Sequence, residues 1–340
     1  MISRINTNEL YYDLPEKNIK QNPYTKRENS LILNVHNKEI IKFADIYRLL
    51  PEKCVLLLNK STVHNVRIST TNKLTGSLVE VFILNIIDNN SFECLIRSNY
   101  SKKIGSVLSV GIYEMVIESR IDNIFKVSLL NTSCKNLIAE CGTMPLPPYI
   151  EDKQSKYKYY QNEFAEGGFS SAAPTAGLHF TNSLLKELEE KGITIKYVLL
   201  NVGIGTFQPI KTKFIDDRLM HKEKYHIESN VIKEIRSAKK SNKKIICVGT
   251  TTLRAIESAF QKNPPINSGE TDLYIKRGYN FKIADGLITN FHAPKSSLIA
   301  IVDAILGKEW KNIYNFALES NMNFLSFGDS MYTEITKCKT

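Results

Sequence analysis

Three times in the second half of the chain a short apolar stretch gives way to a loop of small residues. Ile195 to Val202 leads into Gly203-Ile204-Gly205-Thr206-Phe207. Lys244 to Val248 leads into Gly249-Thr250-Thr251-Thr252 and a helical pattern over Leu253 to Gln261. Gly286 to Thr289 leads into Asn290-Phe291-His292-Ala293-Pro294-Lys295 and a helical pattern over Ser296 to Leu306. A fourth small-residue stretch, Ser170 to Asn182, precedes a helix with Leu184, Leu185 and Leu188 on one face. Thr181 or Asn182 caps its start and Gly192 ends it. Strands alternating with amphipathic helices require a sheet whose faces the helices cover. That arrangement sets the loops at the carboxyl ends of strands, where ligands of open sheets bind.

The middle of the chain breaks this rhythm. From Val66 to about Asn131 there are β-rich runs at Ser77 to Ile87, Ser91 to Ile96, Ser106 to Ile117 and Ile124 to Leu130, separated by Asn, Gly and Asp turns. Closely spaced strands with little helix point to an inserted β-barrel or sandwich. Before the insert, Ser30 to Val35 and Val55 to Leu58 read as strands and Phe43 to Leu50 as a short helix. After it, Met144 to Ile150 (MPLPPYI) stiffens the chain and marks a boundary. A chain of 340 residues is long enough for two domains.

Net charge is +10, from 45 Lys and Arg against 35 Asp and Glu. The excess suits a polyanionic partner, nucleic acid first. An AT-rich coding sequence, which enriches Lys, Asn and Ile together, gives the same excess. Glu151 to Ala165 interleaves Lys153, Lys156 and Lys158 with Tyr157, Tyr159 and Tyr160. It reads either as an RNA-contacting surface or as a solvated helix with its rings turned inward. Lys102 and Lys103, at a turn, read as a phosphate contact or a solvated turn. None of the six cysteines forms a CxxC pair, and no His lies at metal-ligand spacing from them, so scattered thiols are expected rather than a disulfide framework or a metal site. Met1 to Asp13 lacks a signal pattern, and the longest apolar run, Leu298 to Leu306, is short and contains Asp303. A cytoplasmic monomer without membrane attachment is expected.

Five places carry chemistry. The loop with Pro174, Thr175 and Gly177 lets a ligand approach the backbone, with His179 as a candidate acid or base; a tight surface loop is the plain alternative. His221 and Glu223 sit two apart and share a face if that segment is a strand, or are two exposed polar residues. Thr250, Thr251 and a helix N-terminus suit a carboxylate or phosphate, and Arg254 either joins them or pairs with Glu257 at i+3. Asn290, Phe291, His292 and Lys295 gather an amide, a ring, an imidazole and a cation around one turn, or form a helix-entry loop. Phe327-Gly328-Asp329-Ser330 presents Asp329 from a turn, or is only a turn. Gly203-x-Gly205 lacks the third glycine of a dinucleotide fingerprint, and no GxxxxGK[ST] phosphate loop is present.

The segments APTAGLHFT, NVGIGTFQP, MHKE, VGTTTLRAIES, GLITNFHAPKSSL and FGD, preceded by MPLPPYI, resemble in order and spacing the S-adenosylmethionine:tRNA ribosyltransferase-isomerase family of the queuosine pathway. The resemblance covers Met144 to Met331, and more loosely Leu14-Pro15 to Gln21-Asn22-Pro23, Arg27 and the run TGSLVEVFIL. It implies an α/β main domain over 1–62 and 144–340 with an inserted small all-β barrel domain over 63–143. It implies transfer and isomerisation of the ribosyl part of S-adenosylmethionine, a co-substrate, onto 7-aminomethyl-7-deazaguanine at the tRNA wobble position. The product is epoxyqueuosine, with adenine and methionine released and no metal or prosthetic group required.

Carried onto this chain, the resemblance makes His179, His221 and His292 acid–base candidates, with Glu223 and Asp329 behind them. Thr250, Thr251 and Arg254 would hold the methionine carboxylate or an RNA phosphate. Gly203, Gly205, Thr206, Pro174, Thr175 and Gly177 would admit the nucleoside, and Asn290, Phe291 and Lys295 would complete the substrate site. One segment departs from the pattern. Where the family reads NDTRVIPARL, this chain has Asn59-Lys60-Ser61-Thr62-Val63-His64-Asn65-Val66-Arg67-Ile68. Lys60, Thr62 and Asn65 replace Asp, Arg and Pro. A diverged paralogue that binds tRNA or a nucleoside without the full reaction is therefore the alternative. A basic tRNA-binding module is a third reading, and the retention of three histidine-bearing motifs weighs against it.

Overall fold

The architecture is that of a computed structural model, which describes residues 4–99, 103–151, 154–203, 209–218 and 220–336. The chain forms two compact units. Met1–Thr62, Pro147–Gly168 and Ala173–Thr340 make the first; Val63–Leu146 and Phe169–Ala172 make the second.

In chain order the strands are β1 (Leu31–Asn34), β2 (Glu39–Lys42) and β3 (Val55–Asn59). Then come β4 (Arg67–Asn72), β5 (Leu78–Ile86), β6 (Ser91–Arg97), β7 (Val107–Val110), β8 (Tyr113–Ile121) and β9 (Ile124–Leu129). The last six are β10 (Thr194–Leu200), β11 (Glu223–His226), β12 (Ile245–Val248), β13 (Ser268–Thr271), β14 (Gly286–Asn290) and β15 (Ser330–Glu334). The α-helices are α1 (Cys134–Cys141), α2 (Asn182–Glu190), α3 (Ser229–Lys240), α4 (Thr250–Ala259), α5 (Ser297–Leu306) and α6 (Trp310–Glu319).

The first unit is built on a nine-stranded mixed sheet in the order β13-β11-β10-β3-β12-β14-β15-β1-β2. Its centre, β10-β3-β12-β14, is parallel. β3 (VLLLN), β12 (IICV) and β14 (GLITN) are buried along their whole length, because both faces of the sheet are covered. Alternate residues of one strand serve opposite faces: Ile32 and Tyr332 join a cluster with Phe43, Phe180 and Leu188, whereas Leu33 and Met331 join Phe291, Trp310 and Phe324. Helix α2 buries Leu184, Leu185 and Leu188, each worth about 1.5–3 kcal/mol against exposure. Of its two candidate caps, Thr181 is the one used, its side chain accepting from the Leu184 N–H at 3.1 Å.

The second unit is a closed antiparallel barrel, β4-β5-β6-β9-β8-β7. Alternation fills it: in β9, Phe125, Val127 and Leu129 are buried while Ile124, Lys126 and Ser128 are not. Register shifts at Ile83/Asn85 and Ile117/Ser119 bend the strands toward closure. The run Ser106 to Ile117, expected as one strand, is β7 and the start of β8. Gly111, at φ +56°, makes the reversal between them, so sequence continuity of apolar residues hid a hairpin. Five cysteines fall among the described residues and four of them, Cys54, Cys94, Cys134 and Cys247, are buried thiols; Cys338 lies outside the described residues. No helix among the described residues is long and apolar enough to cross a membrane.

Candidate active site

Because β10, β3, β12 and β14 run parallel, their carboxyl ends form one edge of the first unit. Gly249 takes φ +85° there to turn β12 into α4, and an added Cβ would lie 3.5 Å from Thr251 Oγ1 and 3.6 Å from Ala176. The loop after β14 carries Phe291 and His292. Opposite them, Thr175–His179 forms a 3-10 turn, packed so closely at Gly177 that an added Cβ would meet Asn162 Nδ2 at 2.5 Å.

Four compartments join along this edge. The first is lined by Pro174, Thr175, Thr250, Thr251 and His292. It shares Thr175, His292 and Leu298 with a second, which adds Tyr149, Asn290, Phe291 and Ser326. Ser326 joins that to a third, which contains Tyr24, Arg27, Tyr159 and His179. The third shares Arg27 and Tyr159 with an open mouth. The inner three are tight, at about 20, 30 and 20 Å³, room for a water or two each. A substrate larger than that must part their walls. The mouth holds about 480 Å³.

His179 is buried, stacked on Phe43 at 4.8 Å between centroids. Asn290 donates from Nδ2 to the Leu325 carbonyl at 3.2 Å, which fixes its amide orientation, and to His179 Nε2 at 3.2 Å. Nε2 is therefore an acceptor, and Nδ1 carries the proton and donates to Ser30 Oγ at 2.8 Å. Ser30 donates onward to the Arg27 carbonyl at 3.0 Å. Burial, with Arg27 nearby, lowers the His179 pKa to about 3. Burial alone does the same to His292, whose Nε2 lies 3.0 Å from Thr289 Oγ1. Both rings are neutral near pH 7, the state from which a base must start, and the same burial weakens them as bases.

The other acids are committed. Asp329 is fully buried and takes four donors: Tyr24 O–H at 2.8 Å and Leu31 N–H at 2.8 Å on Oδ1, and Asn323 N–H at 2.7 Å and Nδ2 at 3.3 Å on Oδ2. It holds Tyr24, and Tyr24 lines the compartment of His179. Burial, then Asp329, raises the Tyr24 pKa well above its ordinary value, so its phenol stays protonated. Glu223 Oε1 accepts from the Gly203 N–H at 2.8 Å, and its other oxygen pairs with Arg254 Nη1. Arg254 therefore does not pair with Glu257 at i+3. Glu257 turns inward and accepts from the N–H groups of Lys282, Ile283 and Ala284 and from Tyr279 O–H. Arg254 Nη2 and Thr251 Oγ1 are buried with no partner among the described residues.

The candidates named from sequence do not all converge. Pro174, Thr175, Thr250, Thr251, Asn290, Phe291 and His292 line the two inner compartments, and His179 the third. Gly177 underpins the turn, and Phe291 stacks on Phe324 at 4.6 Å. Glu223 of β11 and Arg254 of α4 form a buried pair, with the Gly203 N–H on the Glu223 carboxylate, outside the four compartments. His221 precedes β11 and is exposed, so it and Glu223 do not share a strand face. Lys295 sits at φ +53° with Nζ 5.3 Å from the Tyr11 ring, outside the four compartments. Gly205 and Thr206, with Lys102 and Lys153, lie outside the described residues. Sequence reasoning missed Tyr24, Tyr149 and Ser326 as cleft residues; the short family-like run Gln21-Asn22-Pro23 and Arg27 was the available signal for that wall. The departure at Lys60 is met by an acid: Lys60 Nζ lies 2.7 Å from Glu166 Oε2, and the Thr62 N–H donates to Gly167 O at 2.8 Å. Among the described residues no cluster of three His, Cys, Asp or Glu is placed to hold a metal ion.

A family model described as "Queuosine biosynthesis protein" matches residues 7–333. The chain is 38% identical to a protein named S-adenosylmethionine:tRNA ribosyltransferase-isomerase from Halothermothrix orenii, over 95% of this chain and 98% of that protein. It is 37% identical to one of the same name from Desulforamulus reducens, over 94% and 97%, and 36% identical to one from Clostridioides difficile, over 96% and 98%. A crystal structure of an S-adenosylmethionine tRNA ribosyltransferase from Thermotoga maritima is similar with a TM-score of 0.53 at 28% identity, over 95% of this chain and 99% of that one.

Proposed function

The chain belongs to the queuosine biosynthesis protein family, and from that premise we propose that it acts on tRNA as an S-adenosylmethionine-dependent ribosyltransferase-isomerase. The acceptor in this reading is 7-aminomethyl-7-deazaguanine at the wobble position, and the products are epoxyqueuosine, adenine and methionine. The observation that carries it is the place of His292. It lines both inner compartments, between the hydroxyls of Thr250 and Thr251 at the start of α4 and the amide of Asn290.

S-adenosylmethionine suits that layout. Its carboxylate would meet Thr250, Thr251 and the N-terminus of α4, where free N–H groups and the helix dipole favour an anion. Its adenine would lie toward Asn290 and the apolar wall of Phe291 and Leu298. The ribose then falls at His292. The sulfonium charge acidifies the adjacent ribose carbon, which makes removal of its proton feasible for a weak base. Adenine leaves as the sugar ring opens and takes up a proton. The neutral aminomethyl nitrogen bonds to the sugar and loses one. Epoxide closure breaks the carbon–sulfur bond and releases methionine, so the sulfonium charge departs as one net proton. His179, held by Ser30 and Asn290, positions the Asn290 amide, while Asp329 positions Tyr24. The narrowness of the inner compartments implies that binding opens them and closes out water.

One incubation tests the reading. Purified protein is mixed with S-adenosylmethionine and tRNA carrying 7-aminomethyl-7-deazaguanine; the digested RNA is weighed for epoxyqueuosine and the supernatant assayed for adenine. Both products are expected in equal amounts. Neither product, from protein that still binds the tRNA, overturns the reading, and adenine alone overturns the acceptor.

A further inference from the structure

The compartment with room for a ligand is not one that holds a histidine. It is the mouth, whose volume of about 480 Å³ lies within the roughly 300–1,000 Å³ usual for ligand pockets. Its walls carry three cations, Lys26, Arg27 and Lys158, against two acids, Glu28 and Glu163, together with Tyr159. Glu163 is engaged: one oxygen lies 3.7 Å from Arg27 Nε, and the other accepts the Asn182 N–H at 3.0 Å. Lys26 and Lys158 are exposed and form no ion pair among the described residues. Lys158 Nζ lies 5.0 Å from the centre of the Tyr159 ring. Arg27 and Tyr159 also belong to the third compartment, which reaches His179. Going inward, the order is exposed cations, then an aromatic ring, then an imidazole.

That order matches one nucleotide lifted out of an RNA stack. Phosphates need cations at the rim, and a flat base gains from a ring at the neck. An enzyme acting on a base inside a folded RNA must extrude it into a pocket. We propose that the mouth is the entry port for the acceptor nucleotide: Lys26 and Lys158 hold the flanking phosphates, and Tyr159 stacks the base on its way to the His179 compartment. The proposal rests on tRNA being the substrate. It also bears on the Lys- and Tyr-rich segment, whose side chains divide between interior and mouth. Tyr160 is packed inward and Lys156 donates to the Glu151 carbonyl, while Lys158 and Tyr159 face the mouth.

The test compares the full-length protein with Lys26→Ala/Lys158→Ala, Lys26→Arg/Lys158→Arg and Tyr159→Leu. Binding of tRNA carrying 7-aminomethyl-7-deazaguanine is measured between about 50 and 200 mM KCl, and S-adenosylmethionine binding by calorimetry. Each phosphate contact contributes about 0.7–0.9 to the log–log salt slope, so the double alanine variant should lose about 1.4–1.8 of slope and the arginine variant none. Tyr159→Leu should weaken binding roughly five- to a hundredfold at an unchanged slope. S-adenosylmethionine affinity should be the same in all four proteins. An unchanged slope in the double alanine variant overturns the proposal, as does an equal loss of S-adenosylmethionine affinity, which would mean general damage to the cleft. If the unaltered protein turns tRNA over and the slope still does not move, only the port is wrong. If it neither binds nor modifies tRNA, the functional reading fails first. Exchange of the tRNA signal for an acidic peptide bound at the same residues would assign the mouth to a protein partner and refute it.

Discussion

Mild acid should unfold the α/β unit through its two buried histidines. The pKa values of His179 and His292 are lowered by burial to about 3, against about 6.5 in an unfolded chain. As the pH falls below about 6.5, the unfolded chain takes up a proton at each ring that the folded chain refuses. Stability is therefore full above that value and declines as pH falls toward about 3, by roughly 1.4 kcal/mol per pH unit for each ring. Between about pH 7 and pH 5 each ring costs about 2 kcal/mol, roughly 4 for the pair, a large share of an ordinary domain stability of about 5–15 kcal/mol. Trp310 is the chain's one tryptophan and is buried in the same unit, 5.9 Å from the Tyr12 ring, so its fluorescence reports the right transition. Urea unfolding at about pH 7, 6 and 5 would be read for the unaltered protein, His179→Asn and His292→Asn. Each substitution carries its own fixed cost, but only the change between the two pH values matters. That change should shrink by about 2 kcal/mol in each variant. Equal losses in all three proteins would mean that neither ring is kept neutral by burial, and the account of both would fail.

Three further outcomes follow from single contacts. Arg254→Met takes the cation from the buried Glu223 carboxylate, which keeps the Gly203 N–H, and should cost about 3 kcal/mol by chemical denaturation, with Glu223→Leu in the same chain recovering part of it. Thr251→Val removes a hydroxyl that has no partner among the described residues, so stability should stay within about 0.5 kcal/mol while the KM for S-adenosylmethionine rises; an unchanged KM would take Thr251 out of the substrate site. Lys60→Asp sets two carboxylates face to face at a surface pair with Glu166 and should cost no more than about 1 kcal/mol with product formation retained. Loss of turnover in a folded Lys60→Asp protein would put Lys60 in the chemistry.

Much of this protein is legible along the chain because its signals are local. The central strands show as unbroken apolar runs, since a strand covered on both faces has no polar side to alternate with. The barrel shows as short runs between turns. Loops at the carboxyl ends of β12 and β14 show as small residues before capped helices, which located Thr250, Thr251, Asn290 and His292, and the small-residue stretch ahead of α2 located His179. The motif order carried the family.

What the sequence could not decide is which of these local pieces meet. Arg254 has an acid one turn away in Glu257, yet its partner is Glu223, 31 residues earlier, because β11 passes beside α4 only once the nine strands are in order. Asp329 looks like a displayed turn residue until β15 pairs with β1 and brings it to Leu31 N–H and to Tyr24, 305 residues away. Lys60 reads as a lost acid until Glu166 lies beside it. His221 and Glu223, two apart, are separated by the point at which β11 begins. Periodicity and capping depend on neighbours within a turn or two of chain, and sequence alone fixed those. Pairing, desolvation and the joining of compartments depend on strand order, and only the tertiary structure sets that.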